Sequence, residues 1–462
     1  MTDSFFQSRK FIFFLSVFFT ALKIPFLFEG YGNEEDSWGL ALATYQFRET
    51  GVFEVSRLPG HPVQELFLGI LPFQSAFLFN FFSALFSGIA IYAFGLVLLK
   101  FKVKNPALVL TAFACVPVIF ISGTYTIDYV WGLAFFLLSL HGFLDKKYIL
   151  AGIFMGLAIG SRITYGAMLI PLFFLYEGNS RVIDFFKTSL WAGMVSLLCF
   201  SPIIIKYGPG FFMYYDQFPY PGWGKLLYKM WPGVWGIPGL LVPATGIGLI
   251  IWYGFKTSTP GKRKIILATA LTWLLFTAAY FRLPQKSAYM IPVIPFTLIL
   301  VAEFAPEKIS RFVLAALILG IFLPTLNLTD PYRGSKPGIA SFKFKSEGQE
   351  IYFDALGSPV LADFNKRKVK KQFTENCIKQ IIQNKDTGVI ICGWWYNEIL
   401  VRMKESGRNP GRMRLVFYTG KALADSLQGS ELPVYYLQEQ EKFNDLYSGI
   451  SNTREFARPF IK

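Results

Sequence analysis

Long apolar runs separated by short polar stretches extend through the first 326 residues of the chain. A helix that crosses a bilayer needs about 20 apolar residues, so these runs predict a polytopic α-helical membrane protein. We expect about eleven crossings, of which residues 148–160 and 164–177 are short and form a predicted hairpin. The predicted spans are residues 11–28, 71–99, 107–122, 129–144, 148–160, 164–177, 188–205, 237–255, 265–281, 288–304 and 312–326.

The pattern changes after residue 326, where charged residues become frequent and the long apolar runs end. We therefore predict a membrane domain at residues 1–326 and a small α/β domain at residues 327–462. The order of elements in the second domain allows a partly parallel sheet. Strands are predicted at Val360–Ala362, Gly388–Trp395, Arg414–Tyr418 and Pro433–Leu437, and a helix is predicted at Thr374–Gln383.

Composition agrees with a membrane protein, because only 16% of the residues are charged and soluble domains have about 25%. The net charge of +15 does not indicate a nucleic acid partner. Its basic residues collect at span ends on one side, as in Lys100–Lys104, and this side is expected to be cytoplasmic. The N-terminus is then cytoplasmic, while the outer loops 29–70 and 206–237 and the C-terminal domain are extracytoplasmic.

We expect an integral protein of a bacterial inner (plasma) membrane. No small-residue cleavage site follows residues 11–28, and the run is long enough to span, so it is predicted to form an uncleaved first helix. Lys23, near the outer end of that helix, is expected to extend to the lipid headgroups. The chain has no Gly-rich phosphate loop, no HExxH motif and no metal-spaced Cys/His cluster. A disulfide between Cys377 and Cys392 is left open, because spacing alone does not establish one.

One outer loop is unusually polar for its position between two spans. Residues 32–62 read GNEEDSWGLALATYQFRETGVFEVSRLPGHP, and Trp38–Phe47 is predicted to form a short helix that Gly51 ends. The segment opens with Glu34, Glu35 and Asp36. Clustered carboxylates beside a bilayer are costly unless they are solvated or have a function. A solvated loop is an equally ordinary explanation.

Further charged residues lie on the same predicted face. Asp128 stands in GTYTIDYVWG, Arg162 in GSRITYG, and Arg282 and Lys286 in FRLPQKSAYMIPVIP. A carboxylate can take a proton from an acceptor hydroxyl, and Arg or Lys can hold a phosphate. Simpler functions are also open: Asp128 could cap a helix, the basic residues could anchor to headgroups, and His61 could be structural.

In this order, the motifs resemble the GT-C superfamily of integral-membrane glycosyltransferases. The resemblance is to the branch that contains dolichyl-phosphate-mannose protein mannosyltransferases and lipid A aminoarabinose transferases. It covers roughly residues 10–326 and rests on EEDSWGLALA with TGVFEVSRLPGHP, TIDYVWGLAFFLLSL, LAGIFMGLAIGSRITYGAMLIPLFFL and YMIPVIPFTLIL.

The resemblance implies a polyprenyl-phosphate-linked sugar as donor and transfer on the extracytoplasmic face. The acceptor would be a hydroxyl of a glycan, lipid or protein. An acidic residue of the first outer loop acts as general base in such enzymes, and Asp36 is the first choice, with Glu35 second. Asp128 matches the second acidic position of the family, which positions substrate or, in some members, a divalent metal ion. Asp36 and Asp128 are therefore the metal-ligand candidates.

The resemblance also assigns substrate-binding residues. Arg162 matches a basic residue that contacts the lipid phosphate, and Arg282 and Lys286 are weaker candidates for the same contact. Three residues of the first outer loop complete the predicted set: Glu34, Arg57 and His61.

Three other functions compete with transfer. A transporter or flippase of a lipid-linked sugar could use the same basic residues, although ionisable residues within the spans would then be expected. A polysaccharide polymerase or ligase would place its large outer loop between late helices. A relative without activity could use its C-terminal domain to bind a partner.

Overall fold

Helices form most of the described residues up to residue 319. The computed structural model describes residues 8–176, 180–212, 220–255, 260–328, 340–346, 349–417, 421–437 and 457–460. The helices before residue 320 are α1 (Arg9–Ala21), α2 (Glu35–Thr50), α3 (Pro62–Gly69), α4 (Ala76–Phe101), α5 (Pro106–Ala114), α6 (Pro117–Ser122), α7 (Tyr129–Leu144), α8 (Tyr148–Ser161), α9 (Leu169–Leu175), α10 (Arg181–Tyr207), α11 (Trp223–Met230), α12 (Pro232–Trp235), α13 (Leu241–Phe255), α14 (Pro260–Arg282), α15 (Val293–Phe304) and α16 (Glu307–Leu319). Short 3₁₀ turns include Ile24–Phe26, Ile163–Met168 and Ser287–Met290.

Three helices of the described ranges, α4, α10 and α14, are long and apolar enough to cross a membrane. A fourth candidate is a pair of segments, Trp223–Trp235 and Pro238–Gly254, bent by 92°. Helix length therefore does not confirm the predicted count of about eleven crossings. Prolines explain part of the difference, because they end or break helices. The apolar run 107–122, for example, folds as α5 and α6, separated before Pro117.

The outer helices expose apolar side chains, while the inner ones are enclosed. On α10, Leu198 is 74% exposed and Ile205 is 84% exposed. Continuous apolar surface of this kind on a long helix is typical of contact with lipid. By contrast, Leu133 and Leu137 of α7 and Leu298 of α15 are fully buried. The helices α7 and α15 thus form the centre of a bundle whose surface suits a bilayer.

Three glycines of α8 allow α10 to pack closely against it. Gly152, Gly156 and Gly160 are spaced four residues apart and lie on one face. A Cβ atom at Gly156 would lie 2.5 Å from the Cβ of Val195 and 2.9 Å from the carbonyl oxygen of Ala192. Small residues at this spacing are typical of close helix contacts in membranes. The contact fixes the end of α8, where Arg162 follows.

Lys23 does not extend to the headgroups, so that prediction was wrong. Its side chain is fully buried, where its ammonium donates a hydrogen bond to the carbonyl oxygen of Phe19 at 3.1 Å. The Phe120 ring of α6 lies 4.6 Å from the same nitrogen. Since α6 covers the end of α1, the long side chain is enclosed by the bundle.

The C-terminal region, residues 340–460, contributes strands to two sheets. The first of these sheets also includes the strand that precedes the region. The strands are β1 (Thr325–Leu328), β2 (Ser341–Ser346), β3 (Gln349–Asp354), β4 (Gly388–Ile391), β5 (Met413–Val416), β6 (Val434–Tyr436) and β7 (Ala457–Pro459). The first sheet is antiparallel, in the order β1-β3-β2, and the second is parallel, in the order β5-β4-β6-β7. The helices are α17 (Pro359–Gln383), α18 (Tyr396–Glu405) and α19 (Lys421–Gln428).

Three of the four predicted strands of this region correspond to β4, β5 and β6. The strand predicted at Gly388–Trp395 is too long, because it ends at Ile391 and Gly393–Trp395 forms a 3₁₀ turn. Tyr418, the last residue of the prediction Arg414–Tyr418, lies outside the described residues. The strand predicted at Val360–Ala362 was wrong, because these residues form the first turn of α17. The hydroxyl of Ser358 accepts a hydrogen bond from the Leu361 amide, and Pro359 occupies the first helical position. Both features start a helix. Cys377 and Cys392 are free and buried in the core between α17 and β4.

Candidate active site

The predicted charged residues lie at the ends of helices that are far apart in sequence. Asp36 is in the first turn of α2, which ends at Gly51 with a φ of 70°, as predicted. Asp128 directly precedes α7, and Arg162 directly follows α8. Lys286 precedes the turn Ser287–Met290. Packing of these helices brings their ends to one side of the bundle.

Lys286 binds two carboxylates of residues 33–36, which we call the acidic segment. Its ammonium contacts both Glu34 and Asp36, which lie about 250 residues earlier in the chain. The hydroxyl of Tyr125 also donates a hydrogen bond to Glu34, at 3.0 Å. Burial raises the pKa of the Glu34 carboxyl, but Lys286 and these hydrogen bonds lower it by more. Glu34 is therefore ionised at neutral pH.

Arg57 bridges the acidic segment and Asp128. Its guanidinium lies 3.0 Å from Asp36 and 3.1 Å from Asp128. The Asp128 side chain is only 1% exposed, and the Arg57 side chain is 20% exposed. A planar guanidinium can contact two carboxylates at once, so Arg57 fixes the distance between the two acidic positions.

Arg162 is a second cationic partner of Asp128. One guanidinium nitrogen lies 2.6 Å from the Asp128 carboxylate. The guanidinium also lies 4.4 Å from the ring centre of Tyr129 and 4.7 Å from that of Tyr289, within the range of cation–π contacts. Burial raises the pKa of Asp128, yet the contacts with His61, Arg162 and Arg57 hold it well below its usual range. Asp128 is therefore an anion between two cations.

His61 lies behind this pair. Its Nδ1 is 2.9 Å from the carbonyl oxygen of Ser161, which can only accept, so Nδ1 carries the proton. The same nitrogen is 3.4 Å from Asp128. Burial lowers the pKa of His61 to about 3, although Asp128 opposes this shift. The neutral imidazole therefore contacts both the Ser161 carbonyl oxygen and the Asp128 carboxylate through its Nδ1–H group.

Six predicted residues thus form one network, with three carboxylates and three cations. The carboxylates are Glu34, Asp36 and Asp128, and the cations are Lys286, Arg57 and Arg162. These contacts argue against a helix cap as the function of Asp128 and against headgroup anchoring as the function of Arg162. Asp128 makes no side-chain cap on α7, and Arg162 is too enclosed, at 12% side-chain exposure, to anchor in headgroups.

Two predicted residues are placed differently. Glu35 is 8% exposed, and its carboxylate accepts a hydrogen bond from the backbone amide of Asn397 in the C-terminal region, at 3.1 Å. Arg282 is the last residue of α14, with an exposed side chain. Sequence reasoning missed Tyr125, Tyr129 and Tyr289, although all three stand inside the motifs that contain the predicted charges.

Asp36 and Asp128 do not fit a metal centre in this arrangement. Arg57 bridges them, and each carboxylate binds a second cation, Lys286 or Arg162. A metal ion needs carboxylate oxygens that other cations do not occupy. Within the part of the chain that the structure describes, no three His, Cys, Asp or Glu residues are grouped to hold a metal ion.

Comparison with known proteins gave structural neighbours alone, since no family model and no curated protein sequence matches the chain. The chain is similar to two crystal structures of ArnT from Cupriavidus metallidurans, one in the apo state and one bound to undecaprenyl phosphate. The apo structure aligns with 96% of this chain and 88% of its own, at 12% identity and a TM-score of 0.48. The second aligns with 96% and 89%, at 11% identity and a TM-score of 0.47.

Proposed function

We propose that the protein is a membrane glycosyltransferase that moves a sugar from a polyprenyl-phosphate donor to an acceptor hydroxyl. The observation that carries this proposal is the network of Glu34, Asp36 and Asp128 with Lys286, Arg57 and Arg162 at one end of the bundle. It combines carboxylates, one of which can act as base, with cations that can hold a phosphate.

The donor phosphate would compete with the carboxylates for their cations. The three anions and three cations balance before a substrate binds, so an added phosphate leaves an excess of negative charge. Lys286 and Arg57 are the cations that the phosphate would bind, because they contact Asp36 and are each 20% exposed. Arg162 is more enclosed and is held by Asp128 and two tyrosine rings. Phosphate binding therefore draws Lys286 and Arg57 away from Asp36 and makes that carboxylate more basic.

The reaction proposed is one direct displacement. The acceptor oxygen forms a bond to the anomeric carbon while the bond from that carbon to the phosphate oxygen breaks. The acceptor proton passes to Asp36, and the bonding electron pair leaves with polyprenyl phosphate, whose charge the cations stabilise. A single displacement inverts the anomeric centre. Asp128 acts by holding Arg57 and Arg162 in place for the leaving phosphate.

Donor turnover tests the proposal. Purified protein is incubated with a panel of radiolabelled polyprenyl-phosphate sugars, with candidate glycan, lipid and protein acceptors present, and free polyprenyl phosphate is measured. Release from one donor, with the label found on an acceptor in inverted configuration, supports the proposal and identifies both substrates. Binding of donors without release from any of them, in vesicles that move the intact donor across the bilayer, contradicts it and supports the transporter.

A further inference from the structure

The C-terminal region contacts both segments that supply the acidic residues. The helix α17 contacts the acidic segment through Asn33, which donates hydrogen bonds to the carbonyl oxygen of Asp363 at 3.0 Å and to its side chain at 2.7 Å. It also contacts the turn before Asp128 through Thr124. One helix thus joins the residue next to Glu34 to a residue four positions before Asp128.

Arg367 of α17 makes the connection between these segments. Its guanidinium donates to the carbonyl oxygens of Thr124 at 3.0 Å and Phe26 at 3.1 Å, and to the Thr124 hydroxyl at 2.5 Å. Asp363, the residue that binds Asn33, holds the same guanidinium at 2.6 Å. Arg367 is only 3% exposed. A buried guanidinium with this many acceptors is fixed in orientation, so it sets the position of the turn.

A second connection runs through Lys370, one helical turn further along α17. Its ammonium lies 3.1 Å from Glu398 of α18 and donates to the carbonyl oxygen of Asn33 at 3.3 Å. Lys370 and Glu398 are 2% and 1% exposed. The next residue before Glu398, Asn397, donates its amide to Glu35. The acidic segment is therefore held by two helices of the C-terminal region at once.

These contacts divide the three acidic residues by function. Glu34 and Asp36 bind Lys286, whereas Glu35 binds the backbone of α18. We infer that the C-terminal region is part of the catalytic assembly, and that Glu35, Arg367 and Lys370 are positioning residues that hold Glu34 and Asp36 opposite Asp128. This inference rests on the proposed transferase function. Glu35, which was the second candidate for the general base, is thereby assigned a positioning function.

The test measures kcat and donor KM for Arg367→Met, Asn33→Ala, Glu35→Ala and Glu35→Gln in the full chain. A displacement of about 1 Å in a reacting group lowers turnover about 100-fold, so kcat should fall about 10- to 100-fold in Arg367→Met and Glu35→Ala. Donor KM should change less than about threefold, because the phosphate-holding cations lie outside these contacts. Glu35→Gln should recover most of the lost turnover, since an amide oxygen still accepts from Asn397. Asn33→Ala is a milder variant for use if Arg367→Met does not fold.

The matched control is Lys404→Met. Lys404 of α18 pairs with Glu49 of α2 at 2.7 Å, with exposed side chains, so it joins the same two elements away from the acidic segment. Exposed ion pairs contribute little, and kcat should stay within about twofold of the native value.

Hydrogen–deuterium exchange gives a readout that does not require activity. Arg367→Met and Asn33→Ala should raise exchange in peptides that cover residues 29–40 and 123–128, while Lys404→Met should not. Unchanged exchange in both peptides, or native kcat in Arg367→Met despite raised exchange, would overturn the inference, as would native kcat in Glu35→Ala. So would a loss of kcat in Glu35→Gln equal to that in Glu35→Ala. If the native protein releases no polyprenyl phosphate from any donor, the proposed function fails. The exchange result alone then decides whether the positioning contacts exist.

Discussion

Arg57 and Asp128 form the contact that connects the buried aspartate to Asp36. The guanidinium lies 3.1 Å from a carboxylate that is only 1% exposed, and it reaches from there to Asp36. A buried anion with two cations is stable only while all three remain charged. The geometry of the acidic segment and that of the buried aspartate are therefore coupled through one side chain.

Removal of the buried charge should destabilise the protein. In Asp128→Asn, Arg57 and Arg162 lose their common anion in an enclosed site, and broken buried pairs cost about 3–5 kcal/mol. Thermal unfolding in detergent measures the effect. Glu54→Gln is the matched control, because Glu54 pairs with Lys206 at an exposed position and such pairs contribute about 0–1 kcal/mol. Equal shifts in the two variants would show that the Asp128 pairs do not stabilise the fold.

Lys286 and Arg282 were predicted together as weaker phosphate ligands, and the structure now separates them. Lys286 contacts Glu34 and Asp36, while Arg282 is exposed at the end of α14. A lost charge-assisted hydrogen bond costs about 1.5–3 kcal/mol. Lys286→Met should therefore raise the donor KM about 10- to 100-fold. Arg282→Met should raise it less than about threefold, and the reverse order would contradict the assignment.

His61 should make stability depend on pH. Its pKa is about 3 in the folded protein, below the ordinary value of 6.5. The unfolded chain therefore binds an extra proton between these values, and stability is full above pH 6.5 and falls as the pH decreases towards 3. One such group gives a slope of about 1.4 kcal/mol per pH unit.

The measurement is thermal unfolding between pH 6.5 and 4.5, with His61→Gln for comparison. The difference between the two proteins isolates His61 from the carboxyl groups, including Glu65, whose pKa burial raises. The variant should lose less stability than the native protein over this range. Parallel curves would show that the native imidazole is not held neutral.

The contact between α8 and α10 gives a prediction on packing. Gly156→Ala would place a methyl group 2.5 Å from the Cβ of Val195, and overpacking costs about 1–3 kcal/mol. The yield of folded protein and its midpoint of thermal unfolding should both decrease. Gly193→Ala is the control, because a Cβ atom at Gly193 of α10 meets no atom within 4 Å. A native midpoint in Gly156→Ala would show that α8 and α10 are not in close contact.

Local sequence signals were sufficient to predict the helix that begins in the acidic segment. The helix after Glu34 and its end at Gly51 follow from periodicity and from the ease with which glycine adopts a positive φ. The strands β4, β5 and β6 also follow from short β-branched and aromatic runs. These features depend on neighbouring residues, which a single sequence contains.

Other features depend on contacts between distant segments. Which of Glu34, Glu35 and Asp36 face the site is decided by Lys286 and Asn397, which lie about 250 and 360 residues further along the chain. Burial of Lys23 depends on the position of α6, and no local pattern indicates it. The same holds for the rings of Tyr129 and Tyr289 on either side of Arg162.

The most direct measurement is release of polyprenyl phosphate by Asp36→Asn beside the native protein and Glu54→Gln. Loss of a general base lowers turnover by about 10²- to 10⁴-fold, and Glu54→Gln, a carboxylate variant in the same stretch between α1 and α4, should keep native turnover. We predict this loss in Asp36→Asn, with native-like thermal unfolding that shows a folded protein. Full turnover in Asp36→Asn would contradict the assignment of Asp36 as the base and with it the proposed mechanism.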